Sequence, residues 1–236
     1  MAIMTTTTTM STETNDDLAL LGLMQLVSPA LPIGAFAFSQ GLESAFELGW
    51  VSDEASLAEW LEGVLEDGLT RCELPVIARL YDALNEGDSA AVAEWDAWLA
   101  ATRETAELAA EESRLGASLA RLLGSLSLLP EKEWLPDQAG YVTLFAYTAF
   151  TRKVGRRQAL LGFGWAWLEN QLAVACKALP LGHTAAQRLI ERLRPALSRA
   201  VDEALTLDDS ELGPALPGVA LASALHETQY SRLFRS

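Results

Sequence analysis

Histidine is nearly missing from this chain: His183 and His226 are the only two in 236 residues. A helical metal centre built on paired imidazoles is therefore almost excluded, because such sites draw several ligands from histidine or cysteine. Cysteine is equally scarce. Cys72 and Cys176 lie far apart, so no disulfide framework follows and a reducing compartment suits them. No Gly-x-x-x-x-Gly-Lys loop occurs, so the chain has no phosphate cradle with which to hydrolyse a nucleotide alone. A Gly-x-Ser-x-Gly nucleophile elbow is also absent. Lysine and arginine do not occur before Arg71. Residues 18–42 carry no charge at all, yet Pro29, Pro32 and Gly34 interrupt them and polar side chains are spread through them, which argues against a membrane span. No positive residue precedes that run, so a signal peptide is not expected, and the cytoplasm is the expected location.

What is present describes a globular protein with a core. Half of the residues are apolar and 21% are charged. The formal net charge is -15, unevenly placed: residues 152–236 hold eleven basic and eight acidic residues, and residues 1–151 hold six basic and twenty-four acidic. Such a chain repels nucleic acid and anionic membrane over most of its surface. The asymmetry serves solubility, or it gives a two-faced molecule whose ends meet different partners.

The apolar pattern has helical period throughout, with no stretch of strand alternation, so the fold class expected is all-α. A single-domain orthogonal bundle of roughly nine to ten helices over residues 15–225 fits the pattern. Residues 1–14, rich in Thr and Ser, read as a disordered leader. Two prolines three apart make residues 28–34 a loop, and an unusually apolar one, either tucked into the core or forming a contact surface. Ser52 is expected to cap a helix with Asp53 and Glu54 in its first turn. Pro75 suits the first turn of the next helix, Gly87 its end, and Asp88 the cap of the one after. Pro130 and Pro136 mark the clearest internal break. Thr184 is expected to cap a helix that Pro195 kinks or splits, since proline donates no backbone bond.

The candidate functional residues favour binding over chemistry. Seven tryptophans are many for this length, and aromatics enrich interfaces as well as cores. In residues 226–236, Tyr230, Leu233 and Phe234 are interleaved with Ser231, Arg232 and Arg235. This pattern fits a hot-spot peptide that folds on a partner's acidic groove, or a terminus docked on its own core. Cys72 and Cys176 read as core residues. His226 beside Glu227 is a weak metal candidate.

Four segments taken together resemble the F-type urease accessory proteins, the UreF family. They are Leu23-Met-Gln-Leu-Val-Ser-Pro-Ala-Leu-Pro-Ile-Gly-Ala-Phe-Ala-Phe-Ser-Gln-Gly-Leu-Glu43, Arg103-Glu-Thr-Ala-Glu-Leu through Glu111 and Glu112 to Gly116, Leu179-Pro-Leu-Gly-His-Thr-Ala-Ala-Gln-Arg188, and His226-Glu-Thr-Gln-Tyr-Ser-Arg-Leu-Phe-Arg-Ser236. The resemblance runs from about Leu18 to the C-terminus. Two positions depart from it: His183 stands where members usually carry Gln, and Ala37 where they often carry a small polar or aromatic residue. The resemblance implies a non-enzymatic, dimeric accessory protein. It would sit between a D/H-type accessory protein, which contacts the urease apoenzyme, and a G-type GTPase that carries nickel. It implies no tightly bound cofactor of its own, with nickel and GTP handled by partners. Its candidate partner-binding residues are Tyr230 to Arg235 in the tail, Pro29, Pro32, Phe36 and Phe38 in the apolar loop, and Arg103 and Glu104. Two other readings stay open on residues alone: a helical adaptor of another cytoplasmic complex, and a carboxylate enzyme using Glu111 with Glu112 or Asp208 with Asp209. Adjacent carboxylates on a helix point about 100° apart, which weakens the last.

Overall fold

The computed structural model describes residues 7–129, 134–179 and 181–235, with side chains from Asn15 onward. It is all-α, as expected, and among the described residues no strand occurs. The helices are α1 (Thr7–Leu26), α2 (Leu42–Glu47), α3 (Glu54–Asp67), α4 (Glu73–Glu86) and α5 (Ser89–Ala101). They continue with α6 (Ala106–Ser125), α7 (Tyr141–Thr151), α8 (Arg156–Ala178), α9 (His183–Ala204) and α10 (Pro217–His226). Residues 1–6 of the expected leader lie outside the described residues. The assigned backbone of α1 overlaps the leader from Thr7, ahead of the start expected near Asn15. Pro130 also lies outside them.

Local chemistry sets most helix ends, with two corrections. Asp53, not Ser52, caps α3. Its carboxylate accepts from the Ser56 backbone N–H at 2.8 Å, while the Asp53 N–H donates to Ser56 Oγ, a reciprocal box that satisfies two otherwise orphaned donors. Asp88 caps α5 as expected, accepting from the Ala91 N–H at 3.0 Å. Pro75 lies in the first turn of α4, and Gly87 follows its last residue. At α9 the cap position falls to Gly182 and Thr184 is already inside the helix. Nor does Pro195 split α9, which is assigned as one element from His183 to Ala204. Leu189 and Leu193 before the proline and Leu197 and Val201 after it are all buried, so packing on both sides offsets the missing backbone bond.

The buried side chains gather into two clusters. The larger is built on α4, α6 and α7, with Leu160 and Phe163 from the start of α8 and Ala200 and Val201 from the end of α9. Phe145 lies at its centre, fully buried and edge-on to Phe163 at a centroid distance of 5.2 Å. The smaller joins α2 and α3 to the later half of α8 and the first half of α9. Thus α8 and α9 run through both. In α6, a Cβ at Gly116 would lie 2.6 Å from the Ala139 carbonyl oxygen, so only glycine lets the chain before α7 come this close.

Charge asymmetry along the sequence turns partly into ion pairs within the fold. Arg188 and Arg192 of α9 meet Glu54 and Glu62 of α3, and Arg156 of α8 meets Asp82 of α4. These pairs are exposed and each contributes little to stability. They do occupy basic residues that the sequence alone offers to a second partner.

Candidate functional site: the junction of the tail and the apolar loop

The apolar loop resolves into two faces. Ile33 and Phe38 are buried in the larger cluster, while Pro29, Pro32 and Phe36 are exposed. The loop is pinned from α8, where Asn170 Nδ2 donates to the Phe38 carbonyl at 3.1 Å. Pro29 and Phe36 line an open groove of about 510 Å³ with Cys176, Lys177 and His183 from α8 and α9. His183 is exposed at the first residue of α9.

After the loop, Gly41 adopts a left-handed φ of 80° and starts α2. A Cβ there would meet the Ser223 nitrogen and the Val219 oxygen, both at 3.1 Å, so glycine is what lets α10 lie against this turn. Two residues on, Glu43 is buried, and the tail assembles around its carboxylate. The Leu233 N–H donates to Oε1 at 2.6 Å and the Phe234 N–H to Oε2 at 2.9 Å. Gln229 Nε2 adds a third donor to Oε1 at 3.3 Å, and Ser44 Oγ donates back to Gln229 Oε1 at 3.1 Å.

His226 completes the junction. It is fully buried, with Nε2 3.1 Å from Glu43 Oε2 and Nδ1 2.7 Å from Glu107 Oε2. The other Glu107 oxygen accepts from Arg232 Nη1 at 2.8 Å, and Arg232 Nη2 donates to the Glu227 carbonyl. Two carboxyl groups thus face one imidazole and one guanidinium, so each buried polar group here has a partner. His226 is a structural clasp here, and among the described residues no group of three or more His, Cys, Asp or Glu is placed to hold a metal ion.

The tail's expected residues therefore divide. Phe234 is only 6% exposed, inserted in the smaller cluster with Lys177 Nζ 4.6 Å from its ring centroid. The Arg235 N–H donates to the Ala37 carbonyl at 2.7 Å and ties the tail to the apolar loop. Tyr230 and Leu233 point outward, 106% and 55% exposed, as do Leu221 and Leu225 of α10 at 52% and 43%. Ser231 is exposed, and its carbonyl accepts from Gln229 Nε2. Of the two alternatives for the terminus, the structure presents the docked one, with Tyr230 and Leu233 left exposed.

Arg103 and Glu104 separate. Glu104 is exposed. Arg103 lies inside, with Nη1 2.5 Å from Glu73 and Nη2 2.8 Å from Glu112. Burial opposes its charge, but Glu112 and Glu73 outweigh burial and hold the guanidinium above its usual range. Glu111 and Glu112 do not face each other. Glu111 meets Gln40 and Glu112 meets Arg103 and the Val142 N–H, so they form no catalytic pair. Asp208 and Asp209 belong to a short 3-10 turn, where Asp209 pairs with Arg79. Burial pushes the Cys72 thiol up, and it sits in the larger cluster as a core residue; Cys176 is half-buried and shifted the same way.

Sequence reasoning did not bring Glu43 and Glu107 to this site. Glu43 is the first charge after the uncharged run 18–42, and its isolation is the signal that could have marked it.

Comparison with known proteins decides the family. The profile described as UreF matches residues 51–194. The chain is 71% identical over 225 residues to a protein of Marinobacter nauticus named urease accessory protein UreF, covering 95% of this chain and 97% of the relative. This chain belongs to the UreF family. A Chromohalobacter salexigens protein of the same name is 70% identical over 230 residues, covering 96% of this chain and all of the relative. One from Alkalilimnicola ehrlichii is 47% identical over 228 residues, covering 96% and 100%. As a UreF-family member the chain is a urease accessory protein and not a catalytic enzyme.

Proposed function

We propose that this chain is the bridging subunit of a cytoplasmic, GTP-dependent nickel-insertion chaperone. It joins a D/H-type accessory protein, which contacts the urease apoenzyme, to the nickel-carrying G-type GTPase. It acts as a homodimer within that complex, holds no cofactor tightly, and leaves nickel and GTP to its partners.

The observation that carries this reading is the outer face of the tail and α10. Leu221, Leu225, Tyr230 and Leu233 are all exposed on a segment whose other side is clasped by Glu43. Water gains nothing from such side chains, and a pre-ordered apolar face loses less entropy on binding than a free peptide. Exposed tyrosine and leucine on one segment, with arginine and glutamate near them in sequence, have the makeup of a binding hot spot. Partner contacts at Pro29, Pro32 and Phe36 would extend this face across the Arg235–Ala37 tie.

Co-purification with the D/H-type partner tests the proposal. Deleting residues 227–236 should abolish capture while helical content is retained. That deletion also uncovers the Phe234 site, so the double variant Tyr230→Ala/Leu233→Ser is the sharper probe. It leaves the clasp in place and should weaken binding at least tenfold. Undiminished capture by both variants refutes the tail's role.

A further inference from the structure

A second buried cluster lies around Glu111 and Arg103. Glu111 of α6 is 6% exposed and sits at a cavity of about 90 Å³, lined also by Ala35 and Gln40 of the loop, Glu73, Arg103, Glu112, Tyr141 and Asn170. Glu111 Oε1 accepts from Gln40 Nε2 at 2.9 Å. Glu111 Oε2, Asn170 Oδ1 and Arg103 Nε have no hydrogen-bond partner among the described residues.

Gln40 joins this cavity to the site in front of it. Its φ of 54° is left-handed, which a non-glycine residue adopts only when its surroundings hold it. The side chain does the holding. Beyond its bond to Glu111, Gln40 Oε1 accepts from Trp167 Nε1 at 3.0 Å and from Gln171 Nε2 at 3.1 Å. Gln40 and Gly41 then turn the chain into α2, where Glu43 clasps the tail.

From this geometry we infer that Glu111 is a proton-operated switch on the loop: neutral Glu111 keeps the loop seated, and ionised Glu111 loosens residues 35–43. The charges facing it decide the sign. Glu73 from α4 and Glu112 from α6 are balanced only by Arg103, so the cluster already carries one excess negative charge. Ionising Glu111 makes it two. Tyr141 of α7 and the Cys72 thiol stay protonated, since burial pushes both up. The groups from α8, which are Trp167, Asn170 and Gln171, carry no charge. Ionisation strengthens the Gln40 bond at Oε1, but the larger cost lies at Oε2, which has no donor and then requires water; the cavity wall made by Ala35 and Gln40 is loop, through which that water can enter.

Burial, opposed by the Gln40 bond and Arg103 and aided by Glu112 and Glu73, places the Glu111 carboxyl at about 7. The folded state therefore binds this proton more tightly than the unfolded state does. Stability from it is present below the ordinary carboxylate range and is lost as pH rises through 7. Between pH 5.5 and 8.5 the folding equilibrium constant should fall about thirty-fold from this group alone.

The test is urea unfolding across that range, with hydrogen exchange of residues 33–43 at pH 6 and 8 corrected for intrinsic rate, on wild type and Glu111→Gln. The variant should lose the thirty-fold dependence and show equal loop protection at both pH values, while the wild-type loop exchanges faster at pH 8. The same pH dependence in both proteins overturns the inference. Should Glu111→Gln not fold, the infrared carboxylic-acid band of the wild type decides. A buried carboxyl that ionises between pH 6 and 8, in step with loop exchange, supports the switch. Its absence, or its ionisation without change in the loop, overturns it. The inference concerns the chain alone and stands whichever partners it binds.

Discussion

Replacing Glu43 by alanine should release the tail while leaving the helices standing. Docking of residues 227–235 centres on the Glu43 carboxylate. Burying Phe234 contributes about 2 kcal/mol. Hydrogen bonds to a charged acceptor contribute about 1.5–3 kcal/mol each, and Glu43 accepts two from the Leu233 and Phe234 amides. Removing Glu43 therefore takes away about 3 kcal/mol or more and shifts the docked-to-free ratio by about a hundredfold. Amide exchange at Leu233 and Phe234, read by NMR or mass spectrometry, should speed up by that factor. Trypsin should cut after Arg232 sooner. The circular dichroism of the helices should change little, since Glu43 lies on a short helix outside the larger cluster. Tyr230→Ala is the control and should leave exchange unchanged, because Tyr230 is fully exposed. Exchange in Glu43→Ala within threefold of wild type would refute the clasp.

Three further outcomes concern stability. Arg103→Ala leaves Glu73 and Glu112 buried without their cation and should cost about 3–5 kcal/mol by urea titration, far more than removing an exposed partner such as Arg192. Asp53→Ala should cost about 1 kcal/mol through loss of the α3 cap, while Ser52→Ala should cost less. Gly116→Ala should lower the melting temperature by several degrees, because the added Cβ meets the Ala139 carbonyl and backbone must move.

Helices were legible in the sequence because their signals are local. Period, proline and glycine placed most of the ends. Where the expectation slipped, the reason was a local choice between neighbouring caps or a packing contact far away in sequence. Asp53 displaced Ser52 as a cap because its carboxylate reaches the Ser56 amide. Pro195 failed to split α9 because buried leucines grip the helix on both sides of it. The tail's aromatic and arginine pattern was legible too, but which aromatic turns inward was not. Phe234 and Leu233 are neighbours, and only the Glu43 oxygens, 190 residues away in sequence from Leu233, orient the strand of chain between them. His226 shows the same limit. Beside a terminus it looked like a weak ligand, and it became a clasp once α2 and α6 each brought a carboxylate to it.

The most direct test of the account is in-vitro activation of urease apoprotein with nickel, GTP, the D/H-type protein and the GTPase, with this chain added, omitted, or carrying Tyr230→Ala/Leu233→Ser. The account predicts activation only with the unaltered chain, and a folded but inactive double variant. Equal activation without the chain, or with the double variant, would contradict it.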